Sequence, residues 1–210
     1  MSFCTITPDR GDRKPLMDFC KHQLTRMTVK PDKSYFIEHS PTDDRKDLIA
    51  RVRNGIELAK ADGFDKVYII ESDDYYPKNY FERIQLDGQD FIGCNRSLYY
   101  NLNNRTYEYL HHPNHSSLYC TAFKISALTH FQWPEPQAVF LDLRLWRYAK
   151  RQNKKLYLHH DSIGVSIKHN IGLVGGSGHR RELKRTDPDL EFLKTQVDSE
   201  AFEFYKMLIK

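Results

Sequence analysis

Four consecutive apolar residues, Val67-Tyr68-Ile69-Ile70, run straight into Glu71-Ser72-Asp73-Asp74, and this junction constrains the fold more than any other stretch. A short strand without polar alternation is buried on both faces, as inside a parallel sheet covered by helices. What precedes it agrees. Residues 2–7 are β-prone and end at Pro8, and residues 9–14 form a polar loop. From Pro15, Leu16, Phe19, Leu24 and Met27 recur near one helical face. Residues 34–37 predict a second strand. Leu48, Ile49, Val52, Ile56 and Ala59 predict an amphipathic helix closed by Asp62-Gly63. The β-α-β-α-β order implies a doubly wound α/β sheet with its ligand beyond the carboxyl ends of the strands. Chemistry is therefore expected at residues 7–13, 38–40 and 71–74.

The second half reads differently. Short β-prone runs at 91–93, 98–100, 106–110 and 118–123, separated by Asn, His and Pro, predict antiparallel strands or hairpins. A helix is expected over 138–150. Asp187-Pro188 predicts a cap and first-turn proline for one closing amphipathic helix through Leu190, Leu193, Val197, Ala201, Phe204 and Leu208. With no repeat, low-complexity segment or linker, one domain over 1–210 is expected.

Aromatic residues at 13% and hydrophobic residues at 40% argue against disorder. No apolar run reaches the roughly 18 residues of a membrane span, and the first residues lack a signal-peptide pattern, so a cytoplasmic protein is expected. Cys4, Cys20, Cys94 and Cys120 are scattered, as reduced thiols are. His111, His112 and His115 lack the cysteine partners and spacing of a zinc site. The net charge of +4 is uneven: residues 150–185 hold nine Lys/Arg against Asp161 and Glu182, leaving the remainder acidic. Such a segment suits an anionic partner, phosphates or nucleic acid, although a solvated basic face gives the same pattern.

The carboxylates of Glu71, Asp73 and Asp74 repel one another unless a cation compensates them. Hard oxygen ligands at a strand end suit Mg²⁺ or Mn²⁺, whereas a solvated acidic turn would need neither. The surroundings add a family likeness. Arg53-Asn54-Gly55 and the helix reaching Ala59, then the apolar strand running into Glu71-Ser72-Asp73-Asp74 with Pro77 nearby, resemble the family-2-type glycosyltransferases of the GT-A fold. Thr5-Ile6-Thr7-Pro8 and the loop after it are similar to their first strand and nucleotide-binding loop. The likeness is good over 2–85, patchy to about 180, and extends also to small phage-carried glycosyltransferases. It implies a single GT-A (Rossmann-like) α/β domain: a mixed sheet flanked by helices, an antiparallel acceptor-side subregion and a C-terminal helix. Residues 1–90 would bind the nucleotide sugar, 91–185 the acceptor, and 186–210 would form the closing helix.

The resemblance also implies roles. Asp73 would ligate a divalent metal bridging the donor's diphosphate, with Asp74 as an alternative ligand. Glu71 would take the first acidic position of the Asp-x-Asp motif. Thr7, Asp9 and Arg13 would line the nucleotide pocket, with Arg53 near base or phosphate. Glu38-His39-Ser40 stands where the family has Asp-Asp-Gly, which leaves a uridine donor less specified. Asp142, opening a helix, would be the base that deprotonates the acceptor. A helix-N-terminal Asp that only complements the macrodipole would look the same. His169 would complete the metal shell, and Lys168, His179 and Arg180 would hold phosphates beside the Gly175-Gly176-Ser177-Gly178 loop. The implied activity is a metal-dependent, inverting hexosyltransferase using a nucleotide sugar, a UDP-sugar first, with a cytoplasmic glycan or a hydroxymethylated DNA base as acceptor. Two other classes stay open: a metal-dependent nuclease or phosphoesterase, and a non-catalytic nucleotide-sugar binder.

Overall fold

A computed structural model describes residues 2–38, 47–135, 140–169, 171 and 183–209. The first sheet has six strands: β1 (Cys4–Asp9), β2 (Lys33–Glu38), β3 (Lys66–Ile69), β4 (Phe91–Cys94), β7 (Ala122–Lys124) and β8 (Leu156–His159), in the order β2-β1-β3-β7-β4-β8. All pairings are parallel except those of β7, which runs antiparallel to both β3 and β4. The second sheet has four strands, β5 (Arg96–Asn101), β6 (Thr106–His111), β9 (Val165–Lys168) and β10 (Arg185–Thr186), in the order β10-β6-β5-β9.

Both faces of the first sheet are covered, which is why β3 has no polar alternation. Cys4, Ile6, Val67 and Ile69 pack into one core cluster with helices α2 (Leu48–Ala61) and α4 (Leu141–Arg151). Phe3, Tyr68 and Ile70 point the other way, toward Cys20 and Leu24 of α1 (Lys14–Thr25) and Phe81 of α3 (Tyr80–Arg83). Helix α2 reaches the sheet closely at Gly55, where a Cβ would stand 2.5 Å from Ile6 Cγ2 and 3.2 Å from Ile37 Cγ1. Fully buried Trp146 on α4 donates its ring N–H to Thr121 Oγ1 (3.1 Å). Burying a large side chain of this kind contributes about 1.5–3 kcal/mol.

The expected elements appear in the first half, with β1 extending through Pro8. Two expectations are corrected in the second. The run at 118–123 is not one strand: Leu118–Cys120 is a 3₁₀ turn and only Ala122–Lys124 pairs. The closing helix is two, α5 (Glu191–Gln196) and α6 (Ser199–Leu208). Val197 is extended, and Asp198 caps α6 by accepting the Ala201 N–H (2.9 Å), while its own N–H donates to the Tyr75 hydroxyl (3.1 Å). The periodicity survives the break because Leu193, Ala201 and Tyr205 all enter the core beneath the second sheet. Asp187 lies three residues before the N-cap position, Leu190, and Pro188 is in the turn before the helix rather than in its first turn. Even so, the Asp187 carboxylate accepts the Phe192 and Leu193 N–H groups (both 3.0 Å) and the Tyr100 hydroxyl (2.8 Å). Among the described residues, no helix is long and apolar enough to cross a membrane.

Candidate functional site

Strand β3 delivers the chain to a turn in which the Asp74 N–H bonds the Glu71 carbonyl (3.3 Å). Gln23 of α1 clamps this turn, donating Nε2 to the Asp74 carbonyl (3.1 Å) and accepting the Tyr76 N–H (3.0 Å). The Tyr76 hydroxyl accepts the Glu71 N–H (2.8 Å). Tyr75 and Val165 exchange backbone hydrogen bonds of 2.9 and 3.0 Å, tying the turn to β9. That bridge carries Lys168 and His169 to the acidic turn, 96 positions away for the His169–Asp73 pair.

Asp73 Oδ2 accepts from Arg13 Nη1 at 2.7 Å and from His169 Nε2 at 3.1 Å. Because the Ile171 N–H donates to His169 Nδ1 (3.0 Å), the ring hydrogen sits on Nε2 and faces Asp73. Burial opposes ionisation of Asp73, but the Arg13 guanidinium, the His169 hydrogen bond and Lys168 outweigh it and hold the carboxyl well below the usual range. Glu71 moves the other way. Burial first, then Asp73 and Asp142, push its carboxyl up to about 7 against the pull of Lys168 and Arg13. Burial also raises Asp142, partly offset by the Leu143 N–H and by His115. Environment thus keeps one acid charged and draws its neighbours toward neutrality.

These groups face a cavity of about 430 Å³ beyond the carboxyl ends of β1 and β3. One wall is strongly charged: Arg10, Arg13, Asp47 and Arg51, with Glu71 and Asp73. Asp47, just before α2, forms an ion pair with Arg51 one turn later, and Arg10 Nη1 lies 3.8 Å from the same carboxylate. The other wall carries Tyr99, His112, His115, Ser117, Phe140 and Asp142, with Lys168 between the two. Ser117 Oγ is 2.8 Å from the Tyr99 hydroxyl and 3.2 Å from His112 Nε2. Lys168 lies over the Tyr99 ring, its Nζ 5.3 Å from the ring centroid, and it donates to Ser166 Oγ (2.8 Å).

Of the residues singled out in the sequence, Arg13, Glu71, Asp73, Asp142 and Lys168 meet in this cavity, with His169 behind Asp73. Others do not line it. Thr7 and Asp9 are buried in β1, where Asp9 Oδ1 accepts the Gly11 N–H (2.8 Å) and shapes the loop. Glu38 is exposed at the end of β2. Asp74 is 1% exposed and turned inward, its Oδ1 accepting the Ile167 N–H (2.8 Å). Arg53 is exposed on α2, whereas Arg51 is buried in the cavity wall. His179, Arg180 and the glycine loop at 175–178 lie outside the described residues. Asp47, Arg51, Tyr99, His112 and Phe140 were not anticipated as site residues, and Arg10 only as part of the stretch 7–13. The Asp47–Arg51 spacing of four on a helix was the available signal for one pair; nothing local marks Tyr99 or Phe140.

The chemistry of the donor set fits a divalent cation. Mg²⁺ and Mn²⁺ take hard oxygen donors, and Mg²⁺ commonly uses one or two carboxylates plus substrate phosphates. Asp73 and Glu71 are such donors. Among the described residues no group of three His, Cys, Asp or Glu converges, so a cation there would draw the rest of its shell from water or a ligand. His169, with its hydrogen on Nε2, orients Asp73 in this arrangement; ligation through Nε2 requires that hydrogen to leave.

No protein-family model matches the sequence, and no curated protein matches it. Among solved structures the chain is similar to S. aureus TarS, a family-2 glycosyltransferase, with TM-score 0.54 and 13% identity, covering 80% of this chain and 37% of that one. It is likewise similar to S. aureus TarS 1-349, with TM-score 0.52 and 12% identity, covering 81% and 61%. A197 from STIV aligns at TM-score 0.48 and 15% identity, covering 90% and 100%. The match thus spans less than two thirds of either TarS chain. The fold is of the GT-A type, a mixed sheet flanked by helices.

Proposed function

We propose that the chain is a metal-dependent, inverting glycosyltransferase that moves a sugar, a hexose in the first instance, from a nucleotide-sugar donor to a hydroxyl acceptor. The observation that carries this reading is the cavity itself. On a GT-A-type fold, Asp73 stands at the end of β3 with Arg13 and Lys168 beside it, and half-buried Asp142 lines the same cavity from α4.

A divalent cation held by Asp73, with Glu71 beside it and the donor's phosphates completing its shell, would offset charge on the leaving nucleoside diphosphate. Arg13 and Lys168 bind and orient that diphosphate and stabilise the negative charge that grows on it. The charged wall of Arg10, Asp47 and Arg51 receives the nucleoside end, a uridine being the first to test. Asp142 takes the acceptor's proton as its oxygen bonds to the anomeric carbon. The bond from that carbon to the phosphate oxygen breaks with its electron pair, and a single displacement inverts the centre. Burial raises Asp142 and so makes it a stronger base.

The test is a panel of UDP-, GDP-, dTDP- and CMP-sugars with Mn²⁺ or EDTA, read by thermal stabilisation and by release of free nucleotide. Stabilisation and turnover by one donor, both requiring metal and both lost in Asp73→Asn, is the expected result. Silence toward every donor, with Mg²⁺-dependent cleavage of nucleic acid instead, would replace the transferase by a nuclease. Stabilisation without turnover in the presence of any acceptor would leave a binder.

A further inference from the structure

Phe140 is the least economical residue in the cavity. Its backbone is left-handed (φ 62°, ψ 60°), a conformation disfavoured for a bulky side chain, and it opens α4 without a side-chain cap bond. Leu190 opens α5 with a similar backbone (φ 61°), but it is 8% exposed and its burial in the core offsets the strain. Phe140 is 57% exposed, so burial offsets little. Its ring instead lines the cavity, two residues from Asp142. Strained residues that give no packing in return concentrate at functional sites.

On the same side of the cavity, the charged groups are Asp142 and Lys168, which lies over the Tyr99 ring; His112, His115, Ser117 and Tyr99 are polar and uncharged. A flat apolar ring beside a cluster of hydrogen-bonding groups matches a pyranose, which offers an apolar C–H face and a rim of hydroxyls. Duplex DNA calls for phosphate-binding cations around the mouth. Of the basic side chains described in 150–169, only Lys168 lines the cavity, and Lys150 is bonded to Asn114 Oδ1 (3.1 Å).

We infer that Phe140 is the platform for the acceptor, and that the acceptor is a saccharide stacked on its ring with hydroxyls toward Asp142 and the His112–Ser117 pair. This inference rests on the transferase reading above. The test is saturation-transfer NMR on methyl glucoside, methyl galactoside and methyl N-acetylglucosaminide, with UDP and Mg²⁺ present. Transfer to ring C–H protons in the unsubstituted protein is expected. Phe140→Ala should weaken binding about tenfold, and Phe140→Trp should restore it. Phe140→Gly should melt above the unsubstituted protein while binding glycosides as poorly as Phe140→Ala. Binding of no glycoside, binding indifferent to residue 140, or retention of a hydroxymethylcytosine duplex in place of glycosides would each overturn the inference. Donor-induced stabilisation of the unsubstituted protein separates the two levels. If it is absent the transferase reading falls with the platform; if it is present and residue 140 is without effect, only the platform falls.

Discussion

The two walls of the cavity are built on different physical terms. The wall from β1, α1 and α2 is made of charges already paired with one another, Arg10 and Arg51 with Asp47, and Arg13 with Asp73. The wall from the second sheet and α4 is made of rings and neutral hydrogen-bonding groups, with one carboxylate. The first suits a ligand of fixed charge, because paired side chains can exchange partners without leaving a charge uncompensated. The second suits a neutral, hydroxylated ligand whose recognition depends on shape and direction. In the proposed reaction the diphosphate goes to one wall and the acceptor to the other.

The most severe way to break this division is at its junction. Asp73→Asn should reduce nucleotide release from the donor by about 10³-fold, measured at saturating metal. Asp142→Asn should lower kcat by about 10²–10⁴-fold while donor-induced stabilisation persists, since only the acceptor's proton loses its base. The acid limb of the kcat–pH profile should lie above the ordinary carboxylate range, because burial raises Asp142 and it acts only when ionised. On the charged wall, Asp47→Ala leaves buried Arg51 without its ion pair and should cost about 3–5 kcal/mol in urea unfolding. A double change, Asp47→Leu with Arg51→Met, should recover much of that stability while donor affinity stays lost, which separates packing from recognition. Gly55→Ala forces α2 off β1 and should cost about 1–3 kcal/mol, with Ile6→Val as partial relief. The smallest effect is chemical. Burial pushes Cys4 and Cys20 up to about 12, so neither should react with iodoacetamide at pH 8 until the protein is unfolded.

How much of this was legible follows the range of the interactions involved. The apolar run 67–70 announced a doubly buried strand, because burial on two faces leaves a local composition, and its acidic successor marked the strand end that opens on the cavity. The spacing of α2 was equally visible, yet the basic residue that the family resemblance implies on it is Arg53. Two helical positions turn the side chain through about 200°, so Arg53 and Arg51 occupy nearly opposite faces, and it is Arg51 that enters the cavity. Asp74 looked equivalent to Asp73 in sequence. Its inward turn is set by the Ile167 N–H, which no local pattern contains.

By itself the sequence determined the alternation of strands and helices, the strand-end location of the acidic cluster and the presence of a helix-opening Asp142, since each depends on periodicity or adjacency. Only the tertiary structure decided which carboxylate faces the cavity, that Lys168 and His169 come to meet it, and that an exposed, strained Phe140 lines it too. Those outcomes depend on the Tyr75–Val165 bridge and on the packing of α4 against the sheet, where contacts between distant segments outweigh any preference of the residues alone.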